Sequence, residues 1–235
     1  MVWLNKFKNA AQWLSLYLWL VSGTIIVTIN ASWLYFANAV GQKLGATVNL
    51  TLGRLMTNYY QLLAYLNFPW VPKLTMNDFT DSTSALVHFS DVKNLFMLDY
   101  GVFIVTSVVV YFFWQRLRRD RQLWRLVLPM QTALWVPPVV TVIMAINFDQ
   151  FFIMFHKILF RNSDWLFDPL LDRIILVLPD TFFGQCFVLA FILIEWSFFT
   201  YSVSADKRYV KRINEEYLQW TLHFKLDYKR PVSYY

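Results

Sequence analysis

"QWLSLYLWLVSGTIIVTINASWLYFA", residues 12–37, decides what kind of protein this is: no charged side chain stands between Lys8 and Lys43. A helix needs about 20 apolar residues to cross the hydrocarbon layer of a bilayer, and this run is long enough. The small-residue motif "ANA" at 37–39 has the look of a signal-peptide cleavage site. The apolar run before it is well beyond the roughly 7–15 residues of a signal core, so an uncleaved anchor is the reading. Three further stretches meet the length condition. Residues 95–115 are interrupted early by Asp99, residues 126–148 carry Pro137 and Pro138 at their centre, and residues 182–204 contain Glu195.

The whole composition agrees. Of 235 residues, 57% are hydrophobic and only 15% charged, against about 25% charged in soluble domains. The net charge of +6 does not point to nucleic acid, because the basic residues flank apolar runs as topology signals do. The only cysteine is Cys186, which excludes an intrachain disulfide and a cysteine-rich metal cluster. It reads as inert packing, and Glu195 as a polar residue facing the bundle. The fold class is therefore all-α and integral to the membrane, one domain over residues 1–235 with four spans.

Charge orients the spans. "RLRRDRQLWR", 116–125, joins the second and third and belongs in the cytoplasm by the positive-inside rule. Both termini then lie inside, with Lys6 and Lys8 at one end and the basic tail 205–235 at the other. That tail, with Tyr217 and Trp220, reads as an amphipathic helix lying on anionic lipid. Residues 38–94 and 149–181 lie outside. Two apolar stretches within them, 59–70 and 151–160, are too short to span and are read as interfacial or re-entrant helices.

Topology also sorts the histidines. His88 and His156 fall in the two outer segments and His223 in the inner tail, so two imidazoles can meet on one face and the third cannot. Imidazole is the side chain suited to proton transfer near neutral pH. If "HFSD" is helical, His88 and Asp91 share a face at i and i+3. Asp91 then either holds one ring nitrogen, as orienting carboxylates do, or caps the helix of the second span. Phe152, His156 and Phe160 recur at i, i+4 and i+8, a stripe that puts His156 in an apolar setting and favours its neutral form. Zinc on two His and an Asp is a weaker alternative, since no spaced ligand pair of the HExxH kind is present. No GxSxG elbow or phosphate-binding loop occurs either.

Three blocks follow one another in order: "NYYQLLAYLN" (58–67), "HFSDVKNLF" (88–96) and "FHKILFRNSDWLFDPLLDRIILVLPDTFF" (155–183). In this order and on this span layout the chain resembles the four-span bacterial family of lipoprotein intramolecular transacylases (Lit). The third block is the most specific, with its His, Asn, Trp and Asp-Pro ahead of Pro179, Phe182 and Phe183. The resemblance implies a reaction at the outer leaflet of the cell membrane. The substrate would be a lipoprotein whose N-terminal cysteine carries a diacylglyceryl group and a free α-amine. The sn-2 acyl chain would pass to that amine, giving the lyso form. It also implies that His88 and His156 are the functional histidines, that no cofactor is needed, and that the partners are the lipoprotein and membrane lipid.

Within that chemistry, His88 with Asp91 is read as base toward the amine, and His156 as donor to the oxyanion or leaving oxygen. The two roles are exchangeable on sequence grounds. Asn162 is a second candidate donor, Trp165 an interfacial anchor, and Asp168-Pro169 a turn. Two other classes stay open: a non-enzymatic accessory or sensor protein, and a lipid-ester hydrolase using the same two histidines.

Overall fold

The structure, a computed structural model, describes residues 2–228. Among the described residues four helical stretches are long and apolar enough to cross a membrane: Lys6–Ile29, Thr83–Arg119, Leu123–Ile146 and Asp180–Ala205. They belong to α1 (Val2–Ile29), α5 (Thr83–Arg119), the pair α6 (Val127–Ala133) and α7 (Val136–Ile146), and α9 (Asp180–Tyr228). Between them lie α2 (Ser32–Gly41), α3 (Leu44–Thr47), α4 (Leu52–Asn67) and α8 (Phe148–Leu159), with 3₁₀ turns at Leu123–Leu126 and Arg173–Val177. Lipid-facing residues explain the composition, since Val105, Phe112, Leu128, Trp135, Ile146 and Ile192 all lie exposed. A soluble protein would bury such residues; a bilayer takes their place as solvent.

The run 12–37 is not a single span. α1 stops at Ile29, where the Asn30 side chain donates to the Ile26 carbonyl oxygen at 2.8 Å. Ala31 then takes φ −76° and ψ 57°, with the Ser32 N–H donating to the Asn30 carbonyl oxygen at 2.8 Å. That is an inverse γ-turn, and it sends α2 off as a separate short helix. An Asn side chain competes for backbone carbonyls in this way. In the third stretch, α6 ends before Leu134 and the prolines sit in the first turn of α7, where a missing N–H costs nothing.

α5 begins at Thr83, so His88 and Asp91 ride on the same helix as the second apolar stretch. Its 37 residues amount to about 55 Å, well over the roughly 30 Å hydrocarbon layer. The end bearing His88 therefore stands clear of the apolar 95–115 segment. Ser82 caps this helix by accepting the Ala85 N–H at 3.1 Å, so Asp91 is not its cap. α9 runs unbroken from Asp180 through the tail to Tyr228. Lys229 and Arg230, part of the proposed lipid-lying tail, fall outside the described residues.

Two cores hold the molecule. Leu16, Leu20, Phe113, Leu117, Met130 and Phe198 pack between the long helices. A second core forms a cap over one end of the bundle, where Tyr35 stacks on Tyr59 at 3.9 Å between ring centroids and Phe182 meets Tyr35 edge-on. Gly45 allows the chain to fold tightly beneath this cap: a Cβ there would stand 2.5 Å from the Leu50 carbonyl oxygen. Fully buried Asn58 pins the loop after α4, donating to Asp78 Oδ2 at 2.8 Å and accepting the Asp78 N–H at 2.9 Å.

Candidate active site

The cap brings His88 and His156 together. Their ring centroids are 5.9 Å apart, and each residue is 8% exposed. Asn147 caps the start of α8, accepting the Gln150 N–H at 3.0 Å, and carries His156 into place in the helix's last turn. Aromatic rings enclose the pair. Phe160 lies 4.8 Å from His88 and 5.7 Å from His156, Phe167 lies 5.4 Å from His88, and Phe152 lies 4.1 Å from His156. The stripe at 152, 156 and 160 is thus a wall of this chamber. Trp165 packs 4.9 Å from His156, and its indole N–H donates to the Asn162 carbonyl oxygen at 3.1 Å. It is part of the site, which membrane-interface preference alone did not suggest.

The segment 160–172 straps over both rings and is tied to the start of α5. Ser82 donates to buried Asp172 through its backbone N–H at 2.7 Å and its hydroxyl at 2.9 Å. The Ser84 hydroxyl donates to Asp164 Oδ1 at 2.9 Å. Asn162 Nδ2 donates to Asp91 Oδ2 at 2.9 Å. Asp168 closes a turn, accepting the Leu170 N–H on Oδ1 at 2.9 Å. Ser82, Ser84, Asp164 and Asp172 were not singled out from sequence; serines at a helix start facing aspartates 80 and 90 residues on become legible only once the chain is folded.

One expectation changes here. Asp91 does not hold a ring nitrogen of His88: it accepts from Asn162, and His88 Nδ1 is buried without a hydrogen-bond partner. Asn162, read as a second candidate donor, gives one amide N–H to Asp91. The physical reason is competition, since an exposed amide 71 residues away reaches the carboxylate on the same helix face.

His156 has a fixed orientation. Its Nδ1 lies 2.8 Å from the Phe152 carbonyl oxygen, which can only accept, so Nδ1 carries the hydrogen. In the neutral ring Nε2 then holds the free lone pair. Burial lowers the pKa of His156, outweighing the opposite pull of that carbonyl. His88 is pushed down to about 4 by burial and then by His156, while the charges of Asp91 and Asp164 act the other way. Both rings are neutral at pH 7. The arrangement can accept a proton at His156 Nε2 while the Phe152 carbonyl oxygen holds the Nδ1–H of the imidazolium that forms. Among the described residues no group of three or more His, Cys, Asp or Glu is placed to hold a metal ion.

Four bilayer-length helical stretches under a cap that encloses an imidazole pair define a multi-pass, all-helical membrane protein with a buried polar site. The chain belongs to the family of the lipoprotein intramolecular transacylase Lit, whose model matches residues 10–183, and it is an acyltransferase. Its fold is similar to that of the membrane-integral Lit of Bacillus cereus in meso: TM-score 0.81 and 23% identity, over 93% of this chain and 100% of that one. Two variants of the Bacillus cereus protein, with one histidine changed to Arg or to Ala, both align with TM-score 0.77. They are 22% and 23% identical, over 91% and 89% of this chain and 97% and 95% of theirs. No curated protein matches the chain in sequence.

Proposed function

We propose that this acyltransferase moves the sn-2 acyl chain of a diacylglyceryl group to the α-amine of the N-terminal cysteine in a bacterial lipoprotein. The observation that carries this reading is the pairing of a free His156 Nε2 with a second buried neutral imidazole in one aromatic chamber.

The substrate amine has a pKa of about 7.7–8.0 and arrives mostly as ammonium. His156 Nε2 takes one proton, and the amine nitrogen attacks the sn-2 carbonyl carbon. The cyclic tetrahedral intermediate closes a ring of about eight atoms, so orientation is a large part of the barrier. An aromatic chamber closed by a strap suits that task. His88 donates an N–H to the oxyanion. As the carbon–oxygen ester bond breaks, the second amine proton passes to the glycerol oxygen. An amide and a free glycerol hydroxyl result, and no protein acyl intermediate is required. In this reading the base is His156 rather than His88, because the Phe152 carbonyl leaves it the lone pair.

The site lies on the outer side of the cell membrane in this proposal, with both termini in the cytoplasm and the substrate in the outer leaflet. The density of Arg at the far end of α5 supports that orientation. The test is expression in a bacterium lacking other N-acylation, followed by mass spectrometry of a lipoprotein N-terminal peptide. A mass-neutral shift of one acyl chain onto the amine is the expected result. Loss of an acyl chain would mean hydrolysis, and no change an accessory protein; either overturns the proposal.

A further inference from the structure

Asp91 and Asp164 lie in one corner of the chamber. Asn162 joins them, donating from Nδ2 to Asp91 Oδ2 at 2.9 Å and accepting the Asp164 N–H on Oδ1 at 3.3 Å. Both carboxylates act electrostatically on His88, and Asp91 shares its face of α5 at i+3. Neither has a basic partner within ion-pair distance among the described residues. Lys93, the nearest basic residue in sequence to Asp91, donates instead to the Val71 carbonyl oxygen at 2.5 Å and lies over the Tyr65 ring.

Beside them His88, more than nine-tenths buried, leaves Nδ1 without a partner. A carboxylate offers about four acceptor positions. Asp91 uses one on Asn162, and Asp164 one on the Ser84 hydroxyl. The corner therefore combines two negative charges, several open acceptor positions and an unpaired imidazole nitrogen, with neither carboxylate in an ion pair among the described residues. An alkylammonium, with one charge and three N–H donors, complements it.

Building on the proposed reaction, we propose that Asp91 and Asp164, with His88 Nδ1, form the subsite that receives the α-ammonium of the lipoprotein's N-terminal cysteine. The two aspartates are substrate-binding residues in this role. They select a chain with a free amine, and the N-acylated product, which has lost its charge, is released. The subsite also explains why two carboxylates are kept close to imidazoles that must stay neutral: their positive counterpart comes with the substrate.

The test uses the full-length protein in nanodiscs and a non-transferable analogue, an S-(dialkylglyceryl)cysteinyl peptide with ether-linked chains. It is compared with the same peptide acetylated on its amine. Wild type should bind the free-amine form at least tenfold more tightly. D91N/D164N should bind both forms alike, with its affinity for the acetylated peptide unchanged, because the Asn oxygens still accept from Asn162 and Ser84. D91N and D164N singly should each lose part of the preference, so the comparison survives if the double variant does not fold. Equal binding of the two forms by wild type, or full preference kept in the single and double variants, overturns the subsite and leaves the carboxylates as ties for the strap. Wild type that prefers the amine yet shifts no acyl chain in an ester substrate would overturn the reaction and leave the subsite standing.

Discussion

The Nδ1–H of His156 donates to the carbonyl oxygen of Phe152 at 2.8 Å, one turn back along α8. That bond selects the tautomer of a ring placed opposite a second imidazole, and so decides which nitrogen meets the substrate. In ¹⁵N spectra of histidine-labelled protein, one ring should therefore show a protonated Nδ1 and an unprotonated Nε2 at pH 7. Burial holds both His88 and His156 below the usual imidazole value near 6.5. His88 should still give neutral-ring shifts down to about pH 5, and His156 should protonate at a lower pH than a free imidazole. With the signals assigned by H88Q and H156Q, either of these two rings protonating at its ordinary pH in the folded protein would contradict this electrostatic picture.

Removing either imidazole should cost transfer far more than it costs folding. General acid–base groups typically contribute about 10²–10⁴-fold, so H156Q and H88Q should each slow acyl shift at least a hundredfold in a mass-spectrometric time course. Both variants should still be recovered in the membrane fraction at wild-type levels. Burial of the two rings disfavours their charged forms, and glutamine brings no charge. Near-wild-type rates in either variant would remove that histidine from the mechanism.

Part of this was legible from sequence, and the missing parts share a cause. Apolar runs around 20 residues long announce bilayer-length helices on composition alone, because a bilayer asks only for length and apolarity. The break at Asn30 was not legible, since it depends on one side chain competing for one carbonyl. The meeting of His88 and His156 followed from placing both on one side of the membrane. Who bonds to whom did not: i, i+3 spacing puts Asp91 on the face of His88 but says nothing of Asn162 arriving from a distant loop. Trp165 shows the same limit, for its indole is placed by a turn, with the Asn162 carbonyl holding the N–H and His156 meeting the ring face.

The Ser82–Asp172 tie should be a stability determinant that acts on the site from outside it. Asp172 is 2% exposed and accepts two hydrogen bonds at the start of the helix that carries His88. D172A leaves the Ser82 N–H without its acceptor. Loss of a buried, charge-assisted pair of bonds costs about 1–3 kcal/mol, and thermal unfolding in detergent should fall accordingly. D172N keeps one acceptor oxygen and should recover part of the loss. If D172A melts with wild type, the strap is held chiefly by its aromatic packing.

Asp81 should give the fold a pH dependence of opposite sign to that of the histidines. It is half-buried in the loop ahead of α5, with Oδ1 lacking a partner, and its pKa is pushed up to about 6 by burial and then by the charge of Asp172. An unfolded chain would ionise it near the ordinary carboxylate value of about 3.9. Between those values the folded state binds more protons than the unfolded one, so this group's contribution to stability falls as pH rises through the window. D81N removes the titration and leaves a neutral amide. Its unfolding temperature should match wild type at about pH 4 and exceed it progressively up to about pH 6.5, the difference then staying level toward pH 8. Paired melts of the two proteins at each pH cancel the titrating groups not coupled to Asp81, leaving Asp81 and its effect on Asp172. A difference that does not change with pH would mean that Asp81 ionises in the folded protein as it does in water.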